Sequence, residues 1–181
     1  MYKIHYTTQS KRTLFSFISN EENGRWHAYA LQTPFLGDKL KCGEMPPGCD
    51  RFTDMGYHIN WFNMTPITSL EQCNALAAFW AEDIEKFLDS GKWRVNYPTN
   101  DGCDVFSFSI ERKRGDLRVY IVSHPPYKGR DDSSHATHRL SDGRRKYICW
   151  TDDIDTWAQA ENIATFWAEK TQQYIRTGSF Q

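Results

Sequence analysis

Between His124 and Arg139 runs the segment richest in reactive side chains: His124-Pro125-Pro126-Tyr127-Lys128-Gly129-Arg130-Asp131-Asp132-Ser133-Ser134-His135-Ala136-Thr137-His138-Arg139. Imidazoles three positions apart in a loop can converge on one metal ion, and a neighbouring carboxylate adds an oxygen ligand. His135, His138 and Asp131 (or Asp132) are the candidate ligands. A complete site takes three or four ligands and no further one is placed to join them, so no metal and no cofactor is expected. The same segment offers Ser133 or Ser134 with a histidine and an aspartate as a nucleophilic set. A triad is a matter of geometry that loop neighbours seldom supply, and no GxSxG elbow occurs. The plain reading is a polar loop whose Asp and Ser side chains cap its own turns. Glu82 and Glu169 each follow a tryptophan by two positions, about 200° around a helix, which reads as a solvated face. A non-enzymatic protein is therefore expected, with a metal-dependent enzyme using the histidine loop as the third reading.

Charge gives the leading reading. The formal net charge of −1 excludes a protein that attracts nucleic acid as a whole. Locally the balance differs: residues 101–150 hold ten Lys and Arg against seven Asp and Glu. Arg112, Lys113, Arg114, Arg118, Lys128, Arg130, Arg144, Arg145 and Lys146 are candidates for phosphate contact, and Tyr127 for stacking on a base. Basic groups interleaved with aromatic rings suit single-stranded nucleic acid. The alternative is a protein-interaction module, an accessory or inhibitory factor on a larger complex; high aromatic content suits that as well. The turn Asn20-Glu21-Glu22-Asn23-Gly24 corresponds to Glu111-Arg112-Lys113-Arg114-Gly115, with the charge inverted at equivalent places. Oppositely charged tips could join subunits head to tail as a homo-oligomer.

These places are equivalent through an internal repeat. Tyr6, Phe15, Phe17, Gly24, Tyr29 and Pro34 recur 91 positions later as Tyr97, Phe106, Phe108, Gly115, Tyr120 and Pro125. The offset then falls to 89, where Ile59 and Trp61 meet Ile148 and Trp150. It falls to 87 where Phe79-Trp80-Ala81-Glu82 meets Phe166-Trp167-Ala168-Glu169 and Gly91 meets Gly178. Such an ordered series reads as a tandem duplication. Alternating apolar residues predict strands over 2–8, 13–19, 25–33 and 56–62, repeated over 93–99, 104–110, 116–124 and 145–150. A connection of about twenty residues before each fourth strand is long enough to be functional.

Ser69 with Gln72, and Thr156 with Gln159, open helices over 69–90 and 156–177. Their apolar faces are 73, 76, 77, 80, 84, 87, 88 and 160, 163, 164, 167, 171, 174, 175. Gly91 and Gly178 close them. The fold expected is α+β: two tandem β-β-β-β-α repeats, residues 1–91 and 92–181, packed as one compact unit. Each antiparallel four-stranded sheet is covered by its C-terminal helix, and the halves are related by a pseudo-twofold. In the third strand of the second half, Leu117, Val119 and Ile121 line one face and Arg118, Tyr120 and Val122 the other. A helix covers only one face, so the second must pack on something else.

In element order the whole chain resembles the Whirly proteins, and each half resembles a family of transcription cofactors of the same ββββα form. The resemblance implies binding of single-stranded DNA on a sheet surface; the lysine-rich KGKAAL motif of the Whirly proteins has no counterpart here. The five cysteines, Cys42, Cys49, Cys73, Cys103 and Cys149, form no CxxC pair and read as reduced thiols of a cytoplasmic protein. No apolar run reaches membrane-spanning length, so no membrane partner is expected. Asn63-Met64-Thr65 is a formal glycosylation sequon that has no meaning without secretion.

Overall fold

The protein is described by a computed structural model covering residues 1–31, 40, 44–60 and 66–180. Pro34, Cys42, Trp61, the sequon at 63–65 and the predicted ends of the first half's third and fourth strands lie outside the described residues. The chain divides into two compact units, Met1–Trp93 and Arg94–Gln181.

In the first unit the order is β1 (Tyr2–Thr7), β2 (Leu14–Glu22), β3 (Arg25–Ala30), β4 (Cys49–Thr53), β5 (Gly56–Ile59) and α1 (Leu70–Ser90). The second has β6 (Lys92–Pro98), β7 (Val105–Lys113), β8 (Asp116–Ser123), β9 (Arg139–Asp142), β10 (Arg145–Ile148) and α2 (Trp157–Thr177). The architecture is α+β, with two antiparallel five-stranded sheets in the orders β1-β2-β3-β5-β4 and β6-β7-β8-β10-β9. The four-stranded sheets expected from the sequence are thus corrected to five. The missed strands, β4 and β9, are short edge strands that form hairpins with β5 and β10. An edge strand is paired on one side only and needs little apolar alternation. Cys-Asp-Arg-Phe-Thr and Arg-Leu-Ser-Asp accordingly look like loop. With a fifth strand, each unit also departs from the ββββα order that carried the family resemblance.

Each core is built around one helical tryptophan. Trp80 meets Phe15 and Phe17 edge-on at 5.8 and 6.1 Å. Trp167 meets Phe106 and Phe108 at 6.0 Å each. Both indoles are buried and both donate to a main-chain carbonyl of the long connection, Trp80 to Pro47 at 2.9 Å and Trp167 to Thr137 at 3.0 Å. The hydrogen bond removes the cost of burying an indole N–H.

The helix ends behave alike. Ser69 and Thr156 accept from the backbone N–H of Gln72 and Gln159. Gln72 and Gln159 reach back one residue further than a capping box requires, to the N–H of Thr68 and Asp155. Gly91 and Gly178 adopt φ of 67° and 82°, a left-handed conformation glycine takes without Cβ strain.

Glu82 and Glu169 are not solvated helix-face residues. Glu82 accepts from Tyr6 Oη at 2.8 Å and the Gln9 N–H at 2.7 Å. Glu169 does the same with Tyr97 Oη and the Asn100 N–H, both at 2.8 Å. The first hairpin of each unit extends over this part of the helix, which helical periodicity alone does not register.

Candidate functional site

The β7–β8 register pairs Ser109 with Tyr120, Glu111 with Arg118 and Lys113 with Asp116. Tyr147 pairs with Tyr120, and Arg145 with Asp142. Partners in a ladder share a face. Glu111, Lys113, Arg118, Tyr120, Asp142, Arg145 and Tyr147 therefore lie together on the sheet face opposite Phe108, Ile110 and Val119, which belong to the core under α2.

These groups form one network. Arg145 forks onto Glu111 at 2.6 and 3.0 Å, and its guanidinium carbon sits 3.5 Å from the centroid of the buried Tyr120 ring. Tyr120 Oη donates to Asp142 at 2.7 Å. Lys113 Nζ reaches the same carboxylate at 3.0 Å and Arg118 at 3.5 Å. Hydrogen bonds from Tyr120 and Lys113, with Arg118 beside them, hold Asp142 below the ordinary carboxylate range. Arg118 also covers the Tyr147 ring at 4.9 Å. Cations stacked on rings and paired with carboxylates leave a surface that is basic but internally ordered.

The structure separates the other residues singled out for nucleic acid. Arg114 and Arg144 are exposed in the β7–β8 and β9–β10 turns. The Lys113–Asp142 pair brings those two turns side by side. Arg112 lies on the other face, over the Trp157 ring at 5.7 Å. Lys146 also faces away and donates to Ser141 at 2.7 Å and Ser134 at 3.2 Å. Lys128 and Arg130 belong to the β8–β9 connection, where Arg130 donates to the Arg176 carbonyl at 3.2 Å, near the end of α2.

Tyr127 requires correction as a stacking residue. It is buried against Tyr174, His124 and the guanidinium of Arg139, so no ring face is open to a base. Arg139 is itself buried, held by the Thr137 hydroxyl and the Asp132 carbonyl.

His135, His138 and Asp131 do not form a cluster. Asp131 accepts from the Ser133 N–H at 2.8 Å in a local turn, and the His138 ring packs on Phe180. Among the described residues no three His, Cys, Asp or Glu side chains gather as metal ligands. His138 instead borders a cleft of about 210 Å³ with Cys149, Trp150, Phe166, Lys170 and Phe180.

No family model matches the chain, and neither a curated protein nor a solved structure matches it. Among the described residues no helix is long and apolar enough to cross a membrane. Function has to be argued from the surfaces themselves.

The arginine-rich face could be suspected from sequence by the excess of basic residues. Its ion pairs could not, because Glu111 and Arg145 are 34 residues apart and only strand register joins them. The first unit carries different chemistry at the corresponding strand positions. His27 and His58 stand there in place of Arg118 and Tyr147, and no feature of composition drew attention to them.

Proposed function

We propose that the chain is a duplicated, non-enzymatic binding protein whose second unit receives nucleic acid by its phosphates at the basic end of the β7–β8–β10–β9 sheet. The observation that carries this reading is the Lys113–Asp142 contact, which sets the Arg114 and Arg144 turns together. Arg118 and Arg145 flank them on the same face. Phosphate contact is the mode favoured over base stacking, because Tyr127 is buried and guanidinium groups already cover Tyr120 and Tyr147. Binding of this kind weakens steeply with salt.

The test is fluorescence anisotropy with a labelled single strand across a salt series. A log–log slope of about −2 to −3, reflecting three or four phosphates, supports the proposal. The slope should fall by about half in Arg114→Glu/Arg144→Glu. Absence of binding at low salt, or a slope indifferent to that double substitution, rejects it.

A second reading, a module that docks on a protein, is favoured by a specific feature. Trp150 and Phe166 meet edge-on at 6.2 Å and remain 41% and 52% exposed beside the 210 Å³ cleft. Exposed aromatic side chains of this size are typical interface anchors. A stable protein partner, recovered by the intact chain and lost in Trp150→Ser/Phe166→Ser, would favour it over nucleic acid. Pairing of the acidic and basic hairpin tips between copies is tested by light scattering. If the wild type is an oligomer, Arg112→Glu/Lys113→Glu should reduce its mass.

A further inference from the structure

The first unit carries a chain of three titratable groups on the sheet face turned away from α1. Asp50 Oδ1 lies 2.6 Å from His58 Nδ1, and His58 Nε2 lies 3.0 Å from His27 Nδ1. Strands β3 and β5 place the two imidazoles. Asp50 is brought in by an irregularity: the β4–β5 ladder pairs Cys49 with Ile59 and Arg51 with His58, leaving Asp50 as the extra residue of a bulge. A bulge re-aims a side chain out of the strand's alternation. The β9–β10 ladder runs from Arg139 to Asp142 without interruption and has no corresponding residue.

The carboxylate sets the order of protons along the chain. An ionised Asp50 only accepts, so His58 carries its proton on Nδ1 and presents a lone pair at Nε2. His27 Nδ1–H donates to that lone pair. The remaining lone pair of the chain is thus His27 Nε2, and no other side-chain hydrogen bond of His27 occurs among the described residues. Protonating His58 would set two N–H groups against each other, whereas protonating His27 at Nε2 leaves every bond intact. Burial of His58 acts in the same direction, lowering its pKa against the pull of Asp50. Among the described residues the other charged and titratable groups around the chain are Glu22 and Tyr29, joined by a hydrogen bond of 3.2 Å, Arg51 beside Asp50 at 3.3 Å, and Arg25.

The chain opens on a cleft of about 200 Å³. The β3–β5 ladder is only two residue pairs long, Tyr29 with His58 and Ala30 with Tyr57. Beyond it the Trp26 N–H pairs with the Ile67 carbonyl at 2.8 Å instead of with β5. The cleft forms there, with Trp26 and Ile67 as apolar walls and Arg25, Asn60 and the two histidines as polar ones. Its volume suits a single ring or a molecule of similar size.

We propose that this cleft binds a small weak acid, an aromatic or heteroaromatic ring bearing an acidic O–H or N–H, and that His27 Nε2 takes its proton. The O–H or N–H bond of the ligand breaks heterolytically, the electron pair stays on the ligand as an anion, and the proton forms the second N–H of an imidazolium. Asp50, acting through His58, balances the new cation. Arg25, in the wall of the same cleft, offsets the ligand's anion. The cleft is lined by first-unit residues, and the proposal stands whether or not the second unit binds nucleic acid.

The probe is 4-nitrophenol, whose phenol and phenolate forms absorb at different wavelengths. Titration into the intact 181-residue chain should show saturable binding. The bound probe should be half-ionised about one pH unit below the free probe, a tenfold shift in its proton equilibrium. His27→Phe keeps a ring of similar size without a lone pair and should abolish that shift. Asp50→Asn should reduce it by at least about threefold, with thermal unfolding confirming that both variants fold. Arg94→Ala, at an exposed position of the second unit, should leave binding unchanged. Nitrogen NMR of the imidazoles gives a check independent of the probe: both rings should hold the Nδ1–H form, with proton uptake at His27 Nε2. No saturable binding up to millimolar probe, a bound probe no more ionised than the free one, or binding indifferent to His27→Phe would each overturn the proposal.

Discussion

The same clasp between hairpin and helix occurs in both units with its charges exchanged. In the first unit the acid is on the helix: Glu85 accepts from Thr8 at 2.9 Å and Ser10 at 2.7 Å, and Asp89 pairs with Arg12 of the hairpin at 2.5 Å. In the second the acids are on the hairpin. Gln172, at the place of Glu85, lies within 3.0 Å of Thr99, Asp101 and Asp104, and Arg176, at the place of Asp89, pairs with Asp101 at 2.6 Å. Ser10 corresponds to Asp101 and Thr13 to Asp104. Complementarity is kept while the identity of the donor and acceptor sides is not. The sheet faces turned away from the helices differ more deeply: a hydrogen-bonded Asp–His–His chain in one unit, guanidinium groups on tyrosine rings in the other. A shared framework of buried aromatics therefore permits unlike surfaces.

The largest test of that equivalence is truncation of the tryptophans. Trp80→Ala and Trp167→Ala should each cost about 3–5 kcal/mol, read by urea unfolding. A difference between them of more than about 2 kcal/mol would break the claim that the two cores are built alike.

Next comes the clasp. Gln172→Glu sets a third carboxylate beside Asp101 and Asp104 and should cost about 2 kcal/mol. Adding Asp101→Ser and Asp104→Thr recreates the hydroxyl set that surrounds Glu85 in the first unit and should restore most of it; a failure to restore would show that position along the hairpin, and not complementarity, decides. Burial pushes the Glu85 carboxyl up, but hydrogen bonds from Thr13, Ser10 and Thr8 together with Arg12 hold it below its ordinary value. Its contribution is present above the ordinary value of 4.5 and is lost as pH falls through the lower, folded-state value.

Arg145→Ala removes the fork onto Glu111 and the stack on Tyr120 together. Because Arg145 is half-exposed, about 1 kcal/mol is expected, measured by the same unfolding experiment. The smallest effect is a slope. The unfolded chain protonates His58 near its ordinary value of 6.5, while the folded protein resists that proton. Stability should therefore decline as pH falls through about 6.5, and His58→Phe should flatten that part of the profile. Tyr147→Phe, at the equivalent place in the second unit, should leave the slope unchanged.

Much of this framework can be read without coordinates. Phe15 and Phe17, or Phe106 and Phe108, alternate in the manner a half-buried strand requires. The helical faces recur at the same spacing twice, and Ser69, Thr156, Gly91 and Gly178 mark the helix ends. What escaped was set by contacts distant in sequence. β4 and β9 lack alternation because each is an edge strand, paired in its sheet on one side only. Tyr127 looks like a surface ring among polar neighbours until Tyr174 and Arg139 fold over it. Glu82 and Glu169 look solvated until the hairpins reach them. Asp50 meets His58 only because a bulge turns it there.

The hydrogen bonds from Trp80 to Pro47 and from Trp167 to Thr137 have an evolutionary consequence. An indole that needs only a main-chain oxygen makes no demand on side-chain identity, since every amino acid supplies one. In each long connection this one tie therefore survives a change of the residue that supplies it.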